Sequence, residues 1–329
     1  MNSGNKGLAN LGNTCYMNSA IQCLSHLLEF HPKHEDFITE QRGSSDIYSE
    51  WIALQINLWS NDSSGPVVPT SFLQTFMREC QSKDIPFYNF RQNDTEEFIN
   101  LFMDFLHQSI KKRIEIEIQG PVVSQYDKLA YKAMNSWSQF FKNDYSYIVK
   151  KFYSQLFSIT SCTKCDYNTV NFDPTMVVSL EIPRDATCLY DCLDSFTQKT
   201  ILDCDNSWKC DKCKQRVEPE KKLLLWKTSD VLILLLKRYS KGRKNDTYIE
   251  FPTILDLSRY SLNYGKGGTS YRLSGISIQS GSLGGGHYYA MCYNELDKTW
   301  RTYNDTTVNE ITEEIVTKQK PYCLFYRRI

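Results

Sequence analysis

A cysteine stands where a flexible loop ends and a helix is predicted to begin. Residues 7–18 read GLANLGNTCYMN, and apolar residues then recur with a period of about 3.6 residues, which predicts a helix starting at Cys15 and capped by Thr14. Unpaired N–H groups and the helix dipole stabilise a thiolate there. The pattern indicates a nucleophilic cysteine, with Asn10 and Asn13 as amides that could donate to an oxyanion. The alternative is a structural cysteine beside a turn.

A cysteine nucleophile needs a base, and His287 is the best suited of the five histidines. It follows the loop SGSLGGG and opens the strand-like run HYYAMCY. A turn at Glu295–Lys298 should bring Asn304 and Asp305 back beside His287, where either side-chain oxygen could accept from the imidazole. The alternative is a surface histidine after a hairpin loop, with Asn-Asp as ordinary turn residues.

Four of the twelve cysteines form two Cys-x-x-Cys pairs in turn-like contexts, Cys162 with Cys165 and Cys210 with Cys213. Two such pairs are what a tetrahedral zinc site requires, and four thiolates leave no position open for a substrate. We therefore predict one structural Zn²⁺ per chain. Free cysteines or disulfides are the alternative, and Cys204 is a possible competing ligand near the second pair.

The composition limits the class of protein. The 329 residues carry 38 basic and 38 acidic side chains, so the basic excess typical of nucleic-acid binding is missing. The N-terminus has no apolar signal segment, and the longest apolar run, VLILLL at 231–236, is far shorter than the roughly 20 residues of a membrane helix. We expect an intracellular monomer, cytoplasmic or nuclear, without nucleic-acid or membrane partners, and a buried strand at 231–236.

The elements that must position these residues change character along the chain. Further helices are predicted over Tyr48–Trp59, over Ser71–Cys80 with Thr70 as cap, and from a start near Asp94, where Glu97 adds charge to the first turn. Residues 128–150 predict a helix that leads into a strand around Ile148.

After about residue 152 the pattern is one of strands. Tyr, Phe, Val and Ile are enriched in alternating or densely apolar runs. The runs are FYSQLFSITSC, NTVNF, MVVSLEIP, KKLLLW, DVLILLLKRY, YRLSGISIQS, HYYAMCYN, KTWRTYND and YCLFYRR. Helices first and mostly antiparallel strands afterwards predict the α+β class, without a linker between independent domains.

Several separated stretches together resemble the ubiquitin-specific protease family. GLANLGNTCYMNSAIQCL resembles its cysteine box, and GGGHYYAMCYNELDKTWRTYNDTTV resembles its histidine box. RQNDTEEF (91–98), the two Cys-x-x-Cys pairs, LKRY (236–239), IEFPTILDLSRY (249–260) and the terminal YCLFYRR also resemble family segments, in the expected order.

The resemblance implies one catalytic domain over 1–329 with a papain-like fold. Its helical thumb would cover about 1–125, its β fingers about 155–230, and its β-rich palm mainly 126–154 and 231–329. The zinc site would lie at the tip of the fingers.

The resemblance also implies a role for each matching residue. Cys15 would be the nucleophile, His287 the general base, Asn304 the residue that orients the histidine, and Asn10 the oxyanion donor. Asp305 falls on the adjacent acidic position. Because an amide cannot stabilise imidazolium by charge, we hypothesise that Asp305 shares the role of Asn304.

The implied substrate is ubiquitin, whose C-terminal tail reads Arg-Leu-Arg-Gly-Gly. Asp94 and Glu97 would bind the arginines of this tail. Glycines 284–286, with Tyr288 and Tyr289, are the expected walls of a channel for its two glycines.

The implied activity is thiol-dependent hydrolysis of the bond after the C-terminal glycine of ubiquitin. One alternative is a deconjugase of a ubiquitin-like modifier. Others are a ubiquitin-binding pseudoenzyme and a zinc-dependent scaffold.

Overall fold

The computed structural model describes residues 4–34, 36–37, 46–61, 65–89, 93–240, 242–262, 267–282 and 285–329. Arg91, Gln92 and Gly284, which belong to segments singled out above, lie outside them. The helices of the described residues are α1 (Cys15–Ser25), α2 (Asp46–Trp59), α3 (Thr70–Ser82), α4 (Thr95–Ile110), α5 (Gln125–Phe141), α6 (Tyr147–Phe152), α7 (Leu189–Thr197) and α8 (Glu313–Thr317). In this part of the chain no helix is long and apolar enough to cross a membrane.

The strands follow the predicted change at about residue 152. They are β1 (Ser154–Ser161), β2 (Asn168–Thr175), β3 (Val177–Leu180), β4 (Thr200–Ile201), β5 (Trp208–Lys209), β6 (Arg216–Val217), β7 (Glu220–Lys227), β8 (Val231–Leu236), β9 (Tyr239–Ser240), β10 (Arg243–Lys244), β11 (Ile254–Asp256), β12 (Ser270–Ser282), β13 (Gly285–Asn294), β14 (Thr299–Asn304), β15 (Thr307–Ile311) and β16 (Cys323–Arg328). The predicted α+β class is confirmed.

Two larger sheets organise these strands. The first has the order β15-β14-β13-β12-β16-β8-β3, with β11 paired to β12, and its pairs are antiparallel except for the parallel pair of β3 and β8. The second has the order β2-β1-β7-β4. The short pairs β5–β6 and β9–β10 lie outside both.

The apolar run VLILLL is a buried strand, as its composition predicts. All six residues of β8 are buried, and alternate side chains enter two different cores. Val231, Ile233 and Leu235 pack with the helices, whereas Leu232, Leu234 and Leu236 pack on the opposite face of the sheet. Burying each such side chain stabilises the fold by about 1.5–3 kcal/mol. This strand therefore contributes to the hydrophobic cores on both faces of the sheet.

Two predicted element boundaries are wrong. The strand expected around Ile148 is instead the short helix α6, because the Ser146 hydroxyl accepts from the N–H of Val149 and starts a helical turn. Thr70 is the first residue of α3, and Pro69 occupies the cap position.

Helix α1 lies in the interior, with every one of its residues buried. Buried polar side chains need partners, and several on this helix bond to neighbouring elements. The Ser19 hydroxyl lies 2.8 Å from that of Ser277 on β12, and the Ser25 hydroxyl donates to Gln55 on α2 at 2.7 Å. These bonds fix the helix that begins at Cys15 against the large sheet and the second helix.

Candidate active site

Cys15 is the first residue of α1, and only 4% of its surface is exposed. It lines a cavity of about 350 Å³. Thr14 precedes the helix, but its hydroxyl makes no capping bond; it accepts from the N–H of Leu11 at 3.0 Å. The Thr14 hydroxyl thus does not cap the first N–H groups of α1, and N–H groups at a helix start attract negative charge.

His287 and Asn304 meet as predicted. His287 lies near the start of β13 and Asn304 ends the neighbouring β14, and the hairpin between them turns after Asn294. Nε2 of His287 lies 2.6 Å from Oδ1 of Asn304. An amide oxygen only accepts, so Nε2 carries the proton and Nδ1 keeps a lone pair that can take a proton from a nucleophile.

Asp305 faces a different part of the site. It opens the turn after β14 with a left-handed φ of +48°. Its Oδ2 accepts from the amide of Asn10 at 3.0 Å, and its Oδ1 accepts from the amide of Asn18 at 2.8 Å. Within the described residues its carboxylate bonds to these amides and not to His287.

The loop before Cys15 is closed by the side chain of Asn10. Its Oδ1 accepts from the backbone N–H groups of Gly12 and Thr14, both at 3.1 Å, while its Nδ2 donates to Asp305. The amide is therefore held at both ends. Asn13, the other amide considered for the oxyanion, is exposed and has a φ of +54°.

The cavity beside Cys15 is lined by four of the residues predicted to bind a substrate tail. It is lined by Asp94, Glu97, Gly286 and Tyr288, among others. Tyr289, the other predicted channel wall, lies on the opposite face of β13 and donates to Gln319 at 3.2 Å. This prediction is wrong because successive side chains of a strand point to opposite faces.

Asp94 is more than a helix cap. Its Oδ1 accepts from the N–H of Glu96 at 2.7 Å, and its Oδ2 accepts from the hydroxyls of Tyr288 at 3.3 Å and Tyr322 at 2.8 Å. Burial, together with the Asp94 carboxylate, raises the pKa of both tyrosines. Glu97 is exposed at the mouth of the cavity. The Asp94 carboxylate therefore holds the cavity wall in place, whereas the Glu97 carboxylate faces solvent.

Gly286 allows a close approach inside the cavity. A Cβ built on it would lie 2.0 Å from the amide nitrogen of Gln279, which belongs to β12 and lines the same space. Gln279, Tyr239 and Tyr322 also line this wall, and no motif in the sequence marks them. All three lie in predicted strands. The alternation of side chains along a strand shows which residues share a face of the sheet, but only the register shows which face lines the cavity.

The four paired cysteines come together at the β5–β6 hairpin and the loop after β1. The ligand sulfurs of Cys162, Cys165, Cys210 and Cys213 all lie within 4.8 Å of one another. The sulfurs of Cys162 and Cys213 are 3.8 Å apart, and those of Cys165 and Cys210 are 3.6 Å apart. A tetrahedral ion with metal–sulfur bonds of about 2.3 Å needs sulfur separations of about 3.8 Å. The cluster could therefore hold a metal ion.

Comparison with known proteins identifies the family of this chain. The sequence profile described as "UCH: Ubiquitin carboxyl-terminal hydrolase" matches residues 6–326. The chain belongs to this family. As a ubiquitin carboxyl-terminal hydrolase family member it is 32% identical over 334 residues to ubiquitin carboxyl-terminal hydrolase Usp2 of Drosophila melanogaster, and 31% identical over 360 residues to ubiquitin carboxyl-terminal hydrolase 21 of Homo sapiens.

These matches cover 98% and 99% of the chain, but only 34% of the fly protein and 62% of the human protein. Among solved structures, the family fold recurs in a SAGA DUB module with Ubp8, Sgf11, Sus1 and Sgf73 bound to monoubiquitin. That match has a TM-score of 0.77 and 26% identity, and covers 99% of this chain and 70% of the other. A second structure of such a module is bound to ubiquitin aldehyde, with a TM-score of 0.75, 26% identity and the same coverage.

Proposed function

We propose that this chain is the catalytic domain of a cysteine-type deubiquitinase. It would hydrolyse isopeptide or peptide bonds after the C-terminal glycine of ubiquitin. The observation that carries the proposal is a cysteine at a helix start lining a cavity of about 350 Å³, on a chain whose His287 is oriented by Asn304 at 2.6 Å. Family membership over residues 6–326 supports ubiquitin as the substrate.

The reaction follows from the roles of these groups. His287 takes the thiol proton on Nδ1, and the sulfur of Cys15 attacks the carbonyl carbon of the terminal glycine. Asn10 and the N–H groups at the start of α1 stabilise the oxyanion. The protonated His287 then gives its proton to the leaving lysine amine and afterwards activates the water that releases the acyl group. Asn304 accepts from Nε2–H and holds the imidazole in one orientation throughout.

The cavity supplies recognition of an extended tail. Gly286 lines the cavity without a side chain, because Gln279 occupies the position that a Cβ would take. Glu97 is exposed at the mouth and can form a charge-assisted pair with an arginine of the ubiquitin tail. Asp94 contributes by holding Tyr288 and Tyr322 in the wall.

We propose Zn²⁺ as the metal of the four-cysteine cluster, with a structural role. Cys162, Cys165, Cys210 and Cys213 would hold the ion, and four thiolate ligands leave it no open position for catalysis. The ion would join the loop after β1 to the β5–β6 hairpin. Cys204 is exposed and lies outside the cluster, so it is not among the ligands.

The remaining expectations complete the proposal. The thumb would cover about 1–125, the palm mainly 126–154 and 231–329, and the fingers about 155–230, which include the second sheet. The balanced charge supports a protein partner and not a nucleic acid. We propose that the domain acts as a monomer, away from membranes, in the cytoplasm or nucleus.

The direct test is hydrolysis of ubiquitin carrying a C-terminal fluorogenic amide. Wild type should release the fluorophore, whereas Cys15→Ala and His287→Ala should not. The matched control is Cys204→Ala, which removes an exposed cysteine outside both sites and should retain wild-type kcat/KM. Preferential cleavage of a ubiquitin-like modifier carrying the same fluorophore would instead identify a different deconjugase. Full activity of Cys15→Ala would contradict the proposal.

A further inference from the structure

An unbroken chain of side-chain hydrogen bonds runs from the interior of α1 to the loop before Cys15. The amide of Asn18 donates to one carboxylate oxygen of Asp305 at 2.8 Å, and the amide of Asn10 donates to the other at 3.0 Å. A carboxylate only accepts, so both asparagines must turn their NH₂ groups towards it. One N–H of each amide is thereby used, and Asp305 holds the NH₂ end of Asn10 from outside the loop, whereas Gly12 and Thr14 hold its Oδ1 from within it.

Asn18 is well suited to hold this arrangement. It lies three residues after Cys15 on α1, and only 3% of its surface is exposed. Its Nδ2 also lies 3.3 Å from the carbonyl oxygen of Ala9, next to Asn10 in the loop. The side chain therefore connects the nucleophile's helix, the loop before it, and the turn at Asp305.

The backbone holds Asp305 in the same position. The carbonyl oxygen of Asp305 accepts from the N–H of Leu8 at 2.9 Å. Asp305 has a φ of +48°, and this turn conformation places it against the N-terminal loop. Asn304, one residue earlier, bonds to His287 instead. Two adjacent residues of one hairpin thus serve two different parts of the site.

We propose that Asp305 and Asn18 are positioning residues for the oxyanion donor. They act through Asn10, and Asp305 does not share the role of Asn304 towards the histidine. The inference rests on the proposed function, because an oxyanion forms only if Cys15 attacks a carbonyl. It replaces the hypothesis, drawn from the sequence, that Asp305 supplies charge to the imidazolium.

Two reactions of the same cysteine separate the two roles. Hydrolysis of the ubiquitin fluorogenic amide passes through a tetrahedral oxyanion. Alkylation by iodoacetamide does not: the sulfur of Cys15 bonds to the methylene carbon, the carbon–iodine bond breaks and iodide leaves. Alkylation therefore depends on the thiolate and on His287, and not on Asn10.

The decisive variants are Asp305→Asn and Asn18→Leu. In Asp305→Asn one oxygen becomes an NH₂ group that faces another NH₂ group, and Asn18→Leu removes a donor at similar volume. Both should lower kcat at least tenfold, towards the roughly 10²–10³-fold loss expected for Asn10→Ala.

Other readouts should not change. The alkylation rate of Cys15 and the affinity for ubiquitin should stay within about twofold of wild type, which is the scatter of such measurements. The pH profile of alkylation should keep its wild-type shape. Asn304→Ala is the comparison, and should lower both reactions.

A double-mutant cycle checks the route through Asn10. In an Asn10→Ala background, Asp305→Asn should have almost no further effect on kcat, because the group it positions is gone. Parallel loss of alkylation and hydrolysis in Asp305→Asn, an unchanged kcat, or additive losses in the cycle would overturn the inference. If Asn18→Leu does not fold, Asp305→Asn alone decides. Failure of wild type to hydrolyse ubiquitin would instead refute the proposed function.

Discussion

The buried imidazole of His26 should make the fold sensitive to mild acid. His26 follows the last residue of α1, and its Nδ1 lies 2.8 Å from the carbonyl oxygen of Gln22. Its Nε2 lies 2.8 Å from the hydroxyl of Tyr303, and its ring packs against Trp59. Burial lowers the pKa of this histidine to about 4, from an ordinary value near 6.5.

The magnitude follows from proton linkage. A histidine whose pKa is lowered by folding stabilises the native state above the unfolded pKa, and this stabilisation is lost as pH falls towards the native pKa. Each pH unit in that window corresponds to about 1.4 kcal/mol. For His26 the free energy of unfolding should therefore fall by about 2 kcal/mol between neutral pH and pH 5 through this group alone.

The assay is urea unfolding of wild type and His26→Gln from about pH 7.5 down to about pH 5. The variant keeps a neutral polar group but cannot be protonated, so the stability difference between the two proteins should shrink by about 2 kcal/mol over this range. Tyr303→Phe is the comparison: it removes the hydroxyl beside Nε2 but retains the imidazole, so its stability should still fall towards pH 5. A difference between wild type and His26→Gln that stays constant with pH would refute the reasoning.

Three further predictions test other close contacts. Gly7→Ala should lower the free energy of unfolding by about 1–3 kcal/mol, because the added Cβ would lie 2.5 Å from the carbonyl oxygen of Asp305; an unchanged urea midpoint would contradict this contact. Tyr322→Phe should cost about 1.5–3 kcal/mol in the same assay by removing the 2.8 Å bond to Asp94, and should cost nothing further in an Asp94→Ala background. Cys210→Ser should abolish stoichiometric zinc in elemental analysis of the purified protein, and retention of one zinc per chain would argue against the four-cysteine site.

The meeting of His287 and Asn304 was predictable because the pattern that identifies them is local. They lie on neighbouring strands of one hairpin, so a correct turn is enough to bring them together. The cysteine cluster could be found for a similar reason, since each pair lies within one turn and needs only one further contact.

The direction of Asp305 could not be read from the sequence. It depends on a positive φ at one turn residue and on amides of Asn10 and Asn18, which lie nearly 300 residues earlier. The prediction that Tyr289 lines the cavity fails for a related reason: alternation separates the two faces of a strand, but only the register tells which face meets the cavity. At Ile148 the apolar run was too short to separate helix from strand, and the cap at Ser146 decided it.

The central claim is that Cys15 attacks the carbonyl at the end of the ubiquitin tail. The most direct measurement is intact mass after incubation with ubiquitin carrying a C-terminal electrophile, followed by peptide mapping. We predict one covalent ubiquitin per chain, attached to Cys15, and no adduct with Cys15→Ala. An unmodified wild type, or an adduct on another cysteine that persists in Cys15→Ala, would contradict the account.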